Sequence, residues 1–327
     1  MTLKFGWTIP PRMESLRFLS PAKINLSLRI LNRREDDFHN LLMVMEKVSL
    51  FDEIFLEKIP TGIELTVHGP WSIVPSPIEK NLAYRAAKIL QEVSDTYRGV
   101  RIGLTKKIPM GGGLGGGSSN AATVLKGLNE LWGLNLPPEK LVKIGVRLGA
   151  DIPFFIYDGP ALVGGIGDLI KPLKKIAKLW IILINPGVPV STPWAYKTWD
   201  ANASIEGRTK QPRSGVEGEA PTALPLEGAL PAPMKRLTQE NQNVRRLSTF
   251  EEVLQVLHND FEDVIFPEFP EIQKAKETLV KAGARGTLMS GSGSTVFGLF
   301  ETKPARDKAI TKIRKKAAWQ VFTAENN

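Results

Sequence analysis

Pro109-Met110-Gly111-Gly112-Gly113-Leu114-Gly115-Gly116-Gly117-Ser118-Ser119-Asn120-Ala121-Ala122 places six glycines within seven residues and then runs into good helix formers. Ordering such a run costs chain entropy; what it gains is backbone that can approach a bulky group closely. Ser118 and Ser119 stand where an N-cap belongs, so a helix is predicted from Ser118 to about Trp132. Unpaired amide N–H groups and the positive dipole end at a helix start hold anions, and nucleotide phosphates suit this one best. Two familiar phosphate loops are not matched. Gly111, Gly113 and Gly116 satisfy G-x-G-x-x-G, yet the run lies about 100 residues into the chain. No early strand–helix–strand unit precedes it, and no acidic strand end follows at about 20 residues. Gly112 and Gly117 have P-loop spacing, but Ser118 occupies the place of the required lysine.

Residues 22–31 lie upstream and alternate cleanly, with Ile24, Leu26, Leu28 and Ile30 on one face and Lys23, Asn25, Ser27 and Arg29 on the other. That pattern predicts a half-buried strand. Strand-like pieces follow at 43–58 and 62–69, helical spacing at 79–93 and a strand at 100–108. Beyond the glycine run a second helix is expected over 138–148, ending at Gly149. A first domain is therefore read over 13–170 and a second over 171–327. The second opens with a strand at 179–184 and the turn Asn185-Pro186-Gly187. Residues 201–236 are rich in Pro, Gly, Ala, Ser and Glu and read as a mobile surface insertion. Helical patterns return at 247–258, 270–282 and 304–317, with strand–turn–strand over 287–300 and a last strand at 319–324. Mixed strands and helices in both halves predict α+β layers.

Composition narrows the chemistry. The 327 residues carry 43 Lys and Arg against 34 Asp and Glu, a net charge of +9, and 42% are hydrophobic, so the chain is globular. With no cysteine, disulfides, thiolate zinc sites and cysteine nucleophiles are excluded. Only His39, His68 and His258 exist, without metal-ligand spacing, so no protein-built metal centre is expected. The longest apolar run, Trp180 to Ile184, is far too short to span a bilayer. The first twenty residues hold no continuous apolar stretch, so no secretory signal is read and a cytoplasmic enzyme is expected. Met13 precedes what looks like a natural start, so residues 1–12 are read as a dispensable leader or an alternative-start artefact. The densest basic cluster, Lys308, Lys312, Arg314, Lys315 and Lys316, reads as a solvated helix face. No nucleic-acid-reading motif accompanies it.

Three segments in order resemble the GHMP kinases, the family of galactokinase, homoserine kinase, mevalonate kinase and phosphomevalonate kinase. They are Ser20-Pro21-Ala22-Lys23-Ile24-Asn25-Leu26, the glycine stretch, and Ser290-Gly291-Ser292-Gly293-Ser294-Thr295-Val296-Phe297. The resemblance implies a two-domain α+β fold: an N-terminal ribosomal-protein-S5-like domain and a C-terminal ferredoxin-like domain. It also implies ATP as phosphoryl donor, with Mg2+. Phe38-His39 and Gly149-Ala150-Asp151-Ile152-Pro153-Phe154-Phe155 narrow the match. They resemble the branch whose acceptor is a cytidine diphosphate-linked methylerythritol, phosphorylated on its 2-hydroxyl. A small-molecule acceptor, no nucleic acid, no membrane, and a monomer or weak homodimer are therefore expected. The alternatives are a mevalonate, homoserine or sugar acceptor, or a non-catalytic nucleotide- or nucleic-acid-binding relative.

Residue roles follow from that resemblance. Asp151 becomes the base that accepts the acceptor's hydroxyl proton; its local sequence alone fits an Asx turn before Pro153 equally well. Lys23 becomes the ammonium that stabilises charge beside it, and Asn25, on the same side of the strand, a partner for acceptor hydroxyls. Phe38 and His39 match an aromatic-His pair that holds cytosine. Phe38 stands where the family usually has Tyr, keeping the stacking face and losing the hydroxyl. Tyr196 aligns with the aromatic that closes the other face of the base, and Thr192 with a contact to the acceptor phosphates. Pro109, Met110, Gly111, Gly112, Gly113, Leu114, Gly115, Gly116, Gly117, Ser118 and Ser119 form the ATP phosphate loop, with Asn81 and Lys106 on the adenine side. Gly291 and Gly293 let the C-terminal turn approach the substrate or close the phosphate site. No carboxylate ligand of magnesium is named; Ser118 or Ser119 is a candidate, directly or through water.

Overall fold

The computed structural model describes residues 14–70, 77–205, 247–314 and 319–326. The expected leader at 1–12, positions 206–236 of the expected insertion, and Lys315 and Lys316 lie outside them. Two long strands, β1 (Ser15–Arg33) and β2 (His39–Ile59), form an antiparallel hairpin that organises the first sheet. β3 (Ile63–His68), β4 (Gly99–Thr105), β5 (Ala161–Gly165) and β6 (Leu169–Pro172) join it. So does a short strand from the second half, β8 (His258–Asn259), which pairs in parallel with β1. The second sheet is antiparallel, in the order β11 (Gln320–Glu325), β7 (Trp180–Asn185), β10 (Val296–Phe300), β9 (Gly286–Met289).

Helices cover the first sheet where small and branched residues let them approach. Asn81 caps α1 (Leu82–Val93) by accepting from the Ala83 amide at 2.9 Å. Its Ala83, Ala86, Ala87, Ile89 and Leu90 are buried. α2 (Gly116–Leu131) lies close to the sheet because Gly127 has no side chain; a Cβ there would stand 2.6 Å from Leu56 Cδ1. α3 (Pro138–Val146) and α4 (Ile152–Ile156) complete this layer. The second half adds α5 (Thr192–Ile205), α6 (Phe250–Val256), α7 (Glu262–Ile265), α8 (Pro270–Lys281) and α9 (Lys303–Arg314). Thr249 and Glu252 close a capping box at the start of α6. Among the described residues no helix is long and apolar enough to cross a membrane.

The α+β layers expected in both halves are present. Several local expectations change. The segment 22–28 is buried on both faces: Lys23 is 4% exposed and Asn25 is fully buried. The glycine turn at 290–293 lies against the polar side, where a Cβ on Gly291 would stand 3.3 Å from Lys23 Nζ, while β8 pairs along the strand's edge. A register shift between Asn25 and Ser27 hands the apolar side from one core to another, Ile24 and Leu26 packing in one cluster and Leu28 and Ile30 in the other. α2 begins two residues earlier than expected, capped by Gly115, so Ser118 and Ser119 lie inside its first turn. Gly115 has φ +67°, a left-handed value that a serine cap would not take easily. Residues 201–205, read as the start of the insertion, continue α5. The strand expected to reach 108 ends at Thr105.

Candidate active site

A cavity of about 870 Å³ opens between the β1–β2 hairpin, the glycine loop, α5 and the turn at 290–293. That is in the range of small-molecule sites, roughly 300–1,000 Å³. It gathers Lys23, Asn25, Phe38, His39, Gly111, Gly113, Gly115, Asp151, Thr192, Tyr196, Gly291 and Gly293 on its walls. The outermost of these, Lys23 and Gly293, lie 270 positions apart in the chain, and each of them is a site candidate from sequence.

The glycine loop is shaped by what presses on it. Gly111, Gly113 and Gly115 hold φ of +65°, +74° and +67°. The Gly113 carbonyl accepts from Ser290 Oγ at 2.9 Å, and a Cβ on Gly113 would fall on the Ser290 carbonyl oxygen. The Gly112 carbonyl accepts from the Thr295 amide at 3.2 Å. Leu114 is buried, and its carbonyl accepts from the Lys23 amide at 2.9 Å. The glycine loop, the turn at 290–293 and β1 are thus bolted together through the loop's carbonyls. No side chain caps α2. The amides of Gly116, Gly117 and Ser118 precede the first intrahelical bond, Ser119 N–H to the Gly115 carbonyl at 2.9 Å, and with the helix dipole they present a site for phosphate oxygens.

Asp151 precedes α4 as its N-cap residue, yet its carboxylate makes no capping hydrogen bond. The Asx-turn use of this side chain is therefore not the one taken. The carboxylate is 35% exposed toward the cavity and lies 3.9 Å from Lys23 Nζ. Lys23 Nζ also donates to Asn25 Oδ1 at 2.5 Å. Burial pushes the Lys23 pKa below its ordinary value, while the opposite charge of Asp151 pulls it part of the way back. Burial raises the Tyr196 phenol, with the negative charge of Asp151 adding to the shift.

At the other end of the cavity, Phe38 stands 58% exposed on the rim. His39 is nearly buried, its ring stacked on Tyr196 at 4.7 Å and 12°. His39 Nε2 meets Asp200 Oδ1 at 2.7 Å. Thr192 Oγ1 and Ser292 Oγ are 2.7 Å apart, tying the start of α5 to the third glycine turn. Pro109, Met110, Gly112, Leu114, Gly116, Gly117, Ser118 and Ser119 do not line this cavity; they form the loop's flanks and the first turn of α2. Asn81 and Lys106 also lie outside its walls. Asn81 is engaged as the α1 cap. Lys106 is buried behind the first turn of α2, bonded to Asp52 and, at 3.1 Å, to Asn120 Oδ1. Asn120 in turn donates to Ser20 Oγ, and Ser20 donates to Ser119 Oγ at 2.8 Å. Asp200, Arg33, Phe261 and Ser292 line the cavity and escaped sequence reasoning. Ser292 lies inside the third segment but is not singled out there; Asp200, Arg33 and Phe261 sit in no motif, and only folding brings them near one. Among the described residues no group of three or more His, Asp or Glu could hold a metal ion.

Comparison with known proteins agrees with this geometry. Residues 81–159 match the family described as GHMP kinases N terminal domain, and residues 235–318 match GHMP kinases C terminal. The chain is 42% identical, over 94% of its length and 97% of the relative's, to 4-diphosphocytidyl-2-C-methyl-D-erythritol kinase of Citrifermentans bemidjiense. It is 43% identical, over the same shares, to the protein of that name from Geobacter sp. strain M21. A crystal structure of 4-(cytidine 5'-diphospho)-2C-methyl-D-erythritol kinase superposes with a TM-score of 0.70 at 30% identity, covering 95% of this chain and 99% of that one. Mevalonate kinase of L. major, at 16% identity and a TM-score of 0.68 over 96% of this chain and 97% of that one, shares the fold.

Proposed function

This chain belongs to the GHMP kinases, in the branch of the 4-diphosphocytidyl-2-C-methyl-D-erythritol kinases, and from that we propose how it transfers the γ-phosphoryl group of ATP to the acceptor's 2-hydroxyl. One observation carries the reading. An uncapped carboxylate, Asp151, lies 3.9 Å from a buried ammonium, on the wall of the same cavity that the glycine loop borders.

Phosphoryl transfer needs little covalent help, so placing the hydroxyl in line with the γ-phosphorus matters most. The acceptor oxygen forms a bond to phosphorus as the bond from phosphorus to the ADP oxygen breaks, and the hydroxyl proton passes to Asp151. Lys23 offsets the negative charge that gathers there. The first-turn amides of α2 hold the nucleotide's phosphates. Phe38 and Tyr196 offer ring faces to the cytosine, and His39 its edge. Asn25 and Thr192 serve the acceptor's hydroxyls and phosphates, and Gly291 and Gly293 let the third turn come close. Asn81 and Lys106 support the adenine side, Lys106 from behind α2.

Magnesium is held largely by nucleotide phosphates in sites of this kind, with few protein ligands. The donor set here fits that arrangement. We assign Ser118, partly exposed on the first turn, as its side chain, since Ser119 is engaged by Ser20. The bound ion would neutralise charge between the β- and γ-phosphates. We read residues 13–170 and 171–327 as two domains, a boundary that falls within β6, the last strand before β7 opens the second sheet. We read the chain as a cytoplasmic monomer or weak homodimer without nucleic-acid or membrane partners. Lys308 and Lys312 stand exposed on α9, as a solvated face does.

ADP release should be measured with ATP and four acceptors in turn: 4-diphosphocytidyl-2-C-methyl-D-erythritol, mevalonate, homoserine and galactose. Turnover with the first alone is expected. Preference for any other would reject this acceptor.

A further inference from the structure

Three residues of one face of α5 hold the His39 ring. Tyr196 stacks on it at 4.7 Å, Trp199 meets it edge-on at 5.9 Å and 88°, and Asp200 Oδ1 takes its Nε2 at 2.7 Å. Their spacing of i, i+3 and i+4 puts them side by side on the helix. Arg33, the cross-strand neighbour of His39, lies 3.7 Å from Asp200 Oδ2 through Nη1, so the carboxylate is fixed from a second direction. With its side chain only 4% exposed, the ring has little freedom to turn.

We propose that Asp200 is a positioning residue for base selection, fixing His39 so that its free ring nitrogen accepts a hydrogen bond from the amino group of cytosine. The inference rests on the acceptor assigned above. An ionised carboxylate only accepts, so the proton of the neutral imidazole is assigned to Nε2. Nδ1 then keeps its lone pair and requires a donor. Cytosine presents an amino group at position 4, where uracil presents a carbonyl oxygen. Two acceptors facing each other leave buried polar atoms unpaired, a mismatch that hydrogen-bonding sites reject strongly. Without the carboxylate the proton is free to sit on either nitrogen, and selection between the bases weakens.

The test uses the full-length wild type, Asp200→Asn and Asp200→Ala, with cytidine- and uridine-linked forms of the acceptor. In both variants the KM for the cytidine-linked acceptor should rise about tenfold and kcat stay within about twofold. The cytidine-over-uridine ratio of kcat/KM should fall at least about fivefold. Melting temperature and ATP affinity identify a folded variant, and if one substitution does not fold, the other decides. Unchanged KM and an unchanged ratio in a folded variant would overturn the role of Asp200. Equal use of both acceptors by the wild type would overturn base selection while leaving the kinase intact. No turnover of either acceptor by a folded, ATP-binding wild type would overturn both the acceptor assignment and this inference.

Discussion

Phe38 and His39 are neighbours in sequence and part company in the fold. The first stands 58% exposed at the cavity rim, and the second is 6% exposed against α5. A strand start explains the split, because successive side chains leave opposite faces. Sequence could mark the pair as an aromatic and a base-edge partner; it could not show that His39 would be held from behind by Asp200, 161 positions away. An exposed phenyl ring that supports no core should be dispensable for folding. Replacing Phe38 by Ala is expected to weaken acceptor binding by about 1–3 kcal/mol if the ring stacks on the base, with melting temperature unchanged. Steady-state kinetics with varied acceptor check this, and an unaltered KM would remove Phe38 from the base site.

The glycine run was the most legible element, and its detail was still misplaced. Its composition predicts a helix start suited to anions, but serines are better caps than glycine, so the expected start falls two residues late. The real cap is Gly115, because the chain arrives in a left-handed conformation. α5 escaped notice for a different reason. Its sequence, TPWAYKTWDANASI, is rich in weak helix formers, and its one start signal is Ser191, whose Oγ accepts from the Trp194 amide at 3.5 Å, with Pro193 in the first turn. It is held by burial of Ala195 and by the edge-on contact of Tyr196 with Phe261 at 4.9 Å. Two glycine substitutions separate conformation from contact. Gly111→Ala meets nothing within 4 Å and should cost only the left-handed strain, about 1–2 kcal/mol. Gly113→Ala adds a collision with the Ser290 carbonyl and should also weaken ATP binding, because it pushes the two glycine segments apart. Denaturant unfolding with ATP titration distinguishes them; equal losses in both would show that the segments are not interlocked.

Across the whole molecule, the chain's end stitches the two sheets. Asn326 Oδ1 accepts from the Leu179 amide at 2.8 Å, and its Nδ2 donates to the Ala177 carbonyl at 2.9 Å. The Glu325 amide donates to Ser49 Oγ on β2 at 2.9 Å. Beside this seam Glu46 is 2% exposed, and burial lifts its pKa from an ordinary 4.5 to about 7, with bonds from the Lys47 amide and Asn326 opposing the rise. Burial first, and then repulsion from Lys126, lower Lys47 to about 8. The folded protein holds the Glu46 proton more tightly than the unfolded chain, so stability should fall as pH rises from 4.5 to 7, by on the order of 3 kcal/mol. Lys47 binds its proton less tightly when folded, so its contribution should recover above pH 8. Melting temperatures of wild type and Glu46→Gln across pH 4.5–8 test this: the difference should grow with pH in favour of Gln, and a constant difference would mean the shift is absent. No local pattern announces such a seam, which depends on positions 46 and 326 meeting. The proposed active site is a product of the same assembly: on our reading the α2 side takes the donor phosphates, α5 flanks the acceptor, and Asp151 lies on the shared cavity wall. Turnover of Asp151→Asn, measured beside its ATP affinity by calorimetry, probes that junction. Turnover should fall by about 10²–10⁴-fold while the ATP dissociation constant stays within about threefold; an Asn enzyme as fast as the wild type would leave the carboxylate without a role in the transfer.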